Sequence, residues 1–170
     1  MSAEVKVIYD FFHFNENIYN ICKKAEFYNV NDFEKNFGGD NTWPGQRTQN
    51  LIHYNYTLYT HIISFLNVHK ISTKDYRVVD AYGHLRFSGD NDIDWVHDDP
   101  CDTAIIYLSE TNLESGTSFF ATDKQTEISS IKFIQNTCVF FNQGLMHKSV
   151  GNHGQDINDG RMTLNVFMYK

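Results

Sequence analysis

The residues that most suggest coordination chemistry are His97-Asp98-Asp99. Side chains alternate across an extended strand, so His97 and Asp99 share one face and Asp98 takes the other. An imidazole and a carboxylate side by side supply two ligands for a divalent cation. A third comes from His147, which opens a late strand-like segment after the strand and tight turn of Phe140-Phe141-Asn142-Gln143-Gly144. Two imidazoles and one carboxylate on one side of a metal leave its remaining positions open. Donors without thiolate do not match structural zinc, which closes with four ligands rich in cysteine. Arg161 and Thr163 share a strand face further on. An arginine deep in an apolar interior is costly unless it meets an anion, and its planar fork suits a carboxylate. The set fits a dicarboxylate that chelates the metal at one end and reaches Arg161 at the other.

Such a cluster needs strands to carry it. After Lys74, short apolar or alternating runs recur at 76–82, 94–98, 103–108, 117–121, 128–133, 137–141, 147–150 and 161–169, separated by Gly, Asn and Asp. This spacing predicts an antiparallel sandwich or barrel. Eight strands fit a double-sheet jelly roll of the cupin kind, whose interior holds one small site. The region before it reads as α-rich support. A first strand is expected within 4–12, a short helix over 17–27, and a loop over 34–46 containing Gly38-Gly39 and Trp43-Pro44-Gly45. Leu51, Tyr54, Leu58, Ile62 and Phe65 recur at helical spacing and predict one long helix capped by Thr48. The fold expected is thus mainly β with N-terminal helices, a jelly roll at 75–170 supported by the helical 1–74.

Composition sets the outer bounds. With 170 residues, 41% apolar and 21% charged, the chain has the make-up of one globular domain. Its net charge of −7 argues against a protein that grips nucleic acid or anionic membrane through charge. No run approaches a membrane span, and no basic-then-apolar leader is visible at the N-terminus. The three cysteines, Cys22, Cys101 and Cys138, form neither a CxxC pair nor a disulfide framework, and an intracellular, cytoplasmic setting is the simplest expectation.

The order His-x-Asp, distal His, then Arg-x-Thr resembles the Fe(II)- and 2-oxoglutarate-dependent dioxygenases, whose metal ligands form a facial triad. The similarity extends to the prolyl 4-hydroxylase-like branch. Tyr107-Leu108-Ser109-Glu110 followed by Ser115-Gly116-Thr117-Ser118-Phe119 is similar to its Tyr-Leu-Asn/Ser strand, acidic turn and Gly-containing strand. Phe87-Ser88-Gly89-Asp90 matches the lead-in to the first histidine, and Phe140-Phe141-Asn142 the approach to the distal one. The match covers about residues 76 to 169. It implies that His97, Asp99 and His147 hold Fe(II), and that Arg161 pairs with the C5 carboxylate of 2-oxoglutarate, assisted by Thr163. Tyr107 stands where the family has a hydroxyl near that carboxylate. It also implies O2 as oxidant, release of succinate and CO2, and hydroxylation of an acceptor, either a prolyl or other protein side chain or a small molecule. The presence of Asp99 favours hydroxylation over halogenation. Two departures stand out: many prolyl hydroxylases have lysine where this chain has Arg161, and Trp95 replaces a frequent tyrosine two residues before His97.

The alternative to an enzyme is a non-catalytic cupin-like module holding a metal or small anion; a metal-dependent isomerase on the same barrel is a third reading. The other histidines carry blander expectations. His84 and His153 read as solvated or hydrogen-bonded, and His53, His61 and His69 as a surface stripe along the helix. Asp90 to Asp94 imitates a calcium loop, but Trp95 and Cys101 occupy the positions that need Gly and Glu. The aromatics at 54, 56, 59 and 65 are expected to pack the helix on the barrel. Oligomeric state is not legible.

Overall fold

The computed structural model describes residues 5–39, 43–90 and 96–170. The expected strand at 94–98, the calcium-like run and Trp95 therefore lie largely outside the described residues, as do 40–42 of the expected loop. Among the described residues, ten strands form two antiparallel sheets. The larger has seven, in the order β1 (Val5–Ile8), β8 (Cys138–Phe141), β5 (Asp102–Tyr107), β10 (Arg161–Tyr169), β4 (Val78–Arg86), β3 (Gln46–Arg47) and β2 (Tyr28–Asn29). The smaller has β7 (Glu127–Phe133), β6 (Asn112–Phe120) and β9 (Met146–Val150). His97 joins it through an isolated bridge to His147 on β9. The fold is the expected jelly roll.

The large sheet is buried on both faces, and a period of two divides its residues between two tasks. On β10, Met162, Leu164, Val166 and Met168 join Ala81 and Leu85 of β4 and Ala104 and Ile106 of β5 in the main apolar core. That core is closed by α1 (Asn15–Cys22) through Ile18, Tyr19 and Cys22, and by Leu58, Ile62 and Leu66 of the longest helix. The intervening residues of the same strands, among them His84, Arg86, Arg161, Thr163 and Asn165, face the interior of the roll and line a cavity there. Both sets are apolar or buried, so the alternation within 161–169 is between aliphatic and functional residues rather than between core and solvent.

Several elements differ from expectation. The single long helix is two, α3 (Leu51–Tyr54) and α4 (Tyr56–Val68), because Asn55 leaves helical geometry and caps the second through Leu58 N. Asn50 caps the first. Thr48 caps neither: its hydroxyl accepts from Gly83 N and ties the chain to β4. The expected loop at 34–46 begins inside a helix, α2 (Val30–Phe37), capped by Asn29 and ended by Gly38 at φ 78°. The N-terminal region also supplies β1, β2 and β3 to the large sheet, so it extends the roll as well as supporting it. Of the aromatics, Tyr59 and Phe65 pack on the core, but Tyr54 and Tyr56 are exposed. His69 is packing rather than surface stripe, stacked on Phe11 with Nε2 at 3.0 Å from Phe11 O. The three cysteines are buried and unpaired with one another. Among the described residues, no helix is long and apolar enough to cross a membrane.

Candidate functional site

His97, Asp99 and His147 come together, with one potential ligand atom from each lying within 4.8 Å of the others. His97 Nε2 is 4.0 Å from Asp99 Oδ1, and His147 Nε2 is 3.6 Å from Asp99 Oδ2. The backbone fixes this spacing. His97 and His147 exchange two main-chain hydrogen bonds of 3.1 and 2.8 Å, an isolated antiparallel bridge that sets the two residues side by side. The turn before His147 is held to the first two ligands' segment by Gly144 N donating to Asp99 O, and by Gln143 N donating to Asp102 Oδ1.

Each ligand is also oriented by side-chain contacts. His147 Nδ1 lies 2.9 Å from Leu145 O. A carbonyl only accepts, so Nδ1 carries the proton and Nε2 presents its lone pair to the cluster. Burial pushes the His147 pKa below its ordinary value, against the opposing pull of Asp99. The ring is thus a neutral imidazole at neutral pH, the form that ligates. Asp99 Oδ2 accepts from Thr103 Oγ1 at 2.8 Å, which leaves its other oxygen to the cluster.

This cluster lies in a cavity of about 550 Å³ whose lining also includes Arg161, Thr163, Arg86, Arg47 and His84. Arg161 is buried, donates from Nη2 to Gly116 O at 3.1 Å, and rests against the rings of Phe133 and Tyr107. Gly116 is required there, because a Cβ would sit 2.1 Å from Ile131 O across the bulged β6–β7 pair. Thr163 faces the cavity, but its hydroxyl donates to Asn165 Oδ1 at 2.7 Å. Tyr107 is fully buried behind Arg161, does not line the cavity, and donates to Thr117 Oγ1 at 2.8 Å. Its ring, stacked on Phe133 at 4.3 Å, is what Arg161 meets.

Three further residues line the cavity that sequence reasoning did not place there, although it did read one of them, His84, as solvated or hydrogen-bonded. Arg86 lies directly across from Arg161 in the β4–β10 register and donates to Ser149 Oγ, two residues beyond His147. His84 is a structural hinge-pin: Nε2 is 2.8 Å from Pro44 O, and Nδ1 is 3.4 Å from Asn165 Nδ2. Those partners put its proton on Nε2. Burial, then the charges of Arg47 and Arg86, hold its pKa well below the ordinary histidine value. The third is Arg47, on the short strand β3. The period-two pattern of β4, with His84 and Arg86 two apart, was the available signal for the first two.

The same jelly-roll fold occurs in several solved enzymes, two of them described as using or binding 2-oxoglutarate. A prolyl-4-hydroxylase from Pseudomonas putida superposes with a TM-score of 0.70 at 13% identity, over 99% of this chain and 94% of that one. The non-heme alpha-ketoglutarate-dependent epimerase SnoN of nogalamycin biosynthesis gives 0.64 at 9% identity, over 97% and 76% of the two chains. HygX from Streptomyces hygroscopicus, with nickel and 2-oxoglutarate bound, gives 0.59 at 12% identity, over 98% and 83%. At these identities the likeness is one of fold. No protein-family model matches the sequence, and no curated protein does.

Proposed function

We propose that this chain is an Fe(II)- and 2-oxoglutarate-dependent oxygenase that hydroxylates an acceptor and releases succinate and CO2. The observation that carries the reading is the placement of two histidines and one carboxylate in the same cavity as a buried arginine. The donor set fits the metal: two neutral imidazole nitrogens and one carboxylate oxygen suit iron and leave positions for further ligands. His97, Asp99 and His147 are its ligands. Iron, when bound, supplies the chemistry that couples O2 and the decarboxylation of 2-oxoglutarate to oxidation of a C–H bond.

The protein's own share is positional. Leu145 O and Thr103 Oγ1 hold His147 and Asp99 in the orientation that ligation needs. Arg161 receives the C5 carboxylate of 2-oxoglutarate. Its contacts with Gly116 O and the faces of Phe133 and Tyr107 fix the guanidinium plane, so little freedom is lost when the carboxylate arrives. Thr163 and Tyr107 serve this group indirectly, Thr163 by holding Asn165 and Tyr107 by its ring, because their hydroxyl protons are already engaged. The acceptor is a small molecule or a protein side chain; a prolyl acceptor is the finer form of the proposal. Residues 1–170 act as one domain in this reading.

The test is an anaerobic titration of metal-free protein with Fe(II) and 2-oxoglutarate. The expected result is a weak visible charge-transfer band that requires both components and is lost in Asp99→Ala. Tight Fe(II) binding without the band would instead favour a cupin-like module that holds metal alone.

A further inference from the structure

Arg47 lines the cavity but has no role in the reading above. It sits on β3, opposite His84 of β4, and lines the same cavity as the His97–Asp99–His147 cluster. Its guanidinium carbon lies 4.7 Å from the centre of the Trp43 ring, 5.4 Å from Phe167 and 5.9 Å from Tyr82. The backbone that carries it is built for close approach. Gly45 adopts φ 83°, and a Cβ there would lie 2.6 Å from Leu85 O and 2.8 Å from Arg86 Cγ.

The other two cavity arginines have protein partners, Arg161 in Gly116 O and Arg86 in Ser149. Arg47 Nε is buried without a hydrogen bond among the described residues. A guanidinium lying against ring faces keeps its in-plane N–H groups for a ligand, and the ligand that matches a planar fork is an oxyanion. The group is charged at neutral pH: burial lowers its pKa only to about 10, with Asp99 opposing the shift.

The charge of the loaded cavity points the same way. Its described lining has three arginines, with Asp99 inside and Asp98 exposed at the rim. An iron(II) ion and the 2-oxoglutarate dianion cancel one another. Among the described lining residues, three arginines then stand against two aspartates, an excess of one positive charge. A substrate that carries an anion complements that excess better than a neutral one of the same shape.

We propose that the acceptor oxidised at this site bears an acid group, a carboxylate or phosphate, received by Arg47 within the Trp43–Tyr82–Phe167 aromatic wall. This rests on the oxygenase reading above. It makes Arg47 the residue that selects the acceptor, distinct from Arg161, which takes the cosubstrate.

The test uses protein loaded anaerobically with Fe(II) and 2-oxoglutarate, and three probes of similar shape: benzoate, phenyl phosphate and benzamide. Binding is followed by calorimetry while the charge-transfer band is monitored. The expected result is binding of benzoate or phenyl phosphate at least about tenfold tighter than benzamide, the scale of one charge-assisted hydrogen bond. The tighter of the two acids identifies the acid class. The preference disappears in Arg47→Gln and is partly retained in Arg47→Lys, which keeps the charge without the fork. A retained band with no preference for acid over amide, including no binding of any probe, overturns the inference and leaves the oxygenase reading intact. Acid binding that abolishes the band marks competition at the 2-oxoglutarate position and also overturns it. A protein that forms no band overturns both.

Discussion

His147 gains its chemical identity from the atom behind it. Leu145 O fixes the tautomer, and burial keeps the ring neutral. Neither effect is visible in the spacing of the sequence, although the residue itself was. The same holds for Arg161, legible as an Arg-x-Thr strand start, while the aromatic bed of Phe133 and Tyr107 that holds it comes from two other strands. Its proposed role predicts a separable defect. Arg161→Gln should raise the Kd for 2-oxoglutarate by about 10–100-fold, the loss of a charge-assisted pair, while Fe(II) affinity measured without 2-oxoglutarate changes little. His84 makes a second prediction. Its pKa in the folded protein lies well below that of the unfolded chain, because burial and then Arg47 and Arg86 oppose the charged form. As pH falls below the ordinary histidine value of about 6.5, the unfolded chain takes up a proton that the folded one refuses. Stability therefore falls with pH by up to about 1.4 kcal/mol per unit from this residue and levels off above neutrality. Urea melts of metal-free protein across that range should show a shallower slope for His84→Gln. Depressed pKa values at His147 and His153 act in the same direction and leave part of the slope in place.

At the scale of elements, the late strands were legible because their apolar runs and Gly/Asn/Asp breaks repeat. The strand observed at Arg161–Tyr169 coincides with the segment read from sequence. The helical region was less legible. Apolar periodicity runs straight through Asn55, and only the backbone shows that its side chain ends one helix and caps the next. α2 was hidden because its apolar residues are few and its burial slight. The short strands β2 and β3 have only two residues each and no pattern to read, yet β3 carries Arg47. The segment 43–47 is also where an element-scale change reaches the site. Gly45→Ala places a Cβ against Leu85 O in a left-handed backbone position, so the segment must move. The expected cost is about 1–3 kcal/mol of stability. The Pro44 O contact to His84 should loosen with it. Thermal melts read the first effect. Quenching of tryptophan fluorescence by iodide reads the second as greater access to Trp43, which is buried in the wild-type protein.

At the scale of the whole molecule, one sheet serves two purposes. Its helix-facing side carries the aliphatic core, and its cavity side carries buried arginine, histidine, threonine and asparagine. The apolar face stabilises the fold, whereas the buried polar face carries a cost that the proposed ligands would relieve. Arg86 and Arg161 face one another across β4 and β10 with like charge. In the proposed function an anion beside these arginines offsets that repulsion, so the folded state alone should bind metal and 2-oxoglutarate and be stabilised in proportion. With Mn(II) in place of Fe(II) to prevent turnover, and each ligand at about 100 times its Kd, linkage gives about 2.7 kcal/mol per ligand. For a chain of 170 residues, 2-oxoglutarate added to the Mn(II)-loaded protein should raise Tm by about 5–10 °C. The increment should vanish in Arg161→Gln, while the Mn(II) increment persists. In Asp99→Ala both should vanish, because the metal must be in place before the 2-oxo acid can chelate it. A 2-oxoglutarate shift that survives Asp99→Ala would mean that the arginines bind the dicarboxylate without metal, and the cavity would then be an anion site rather than an oxygenase centre.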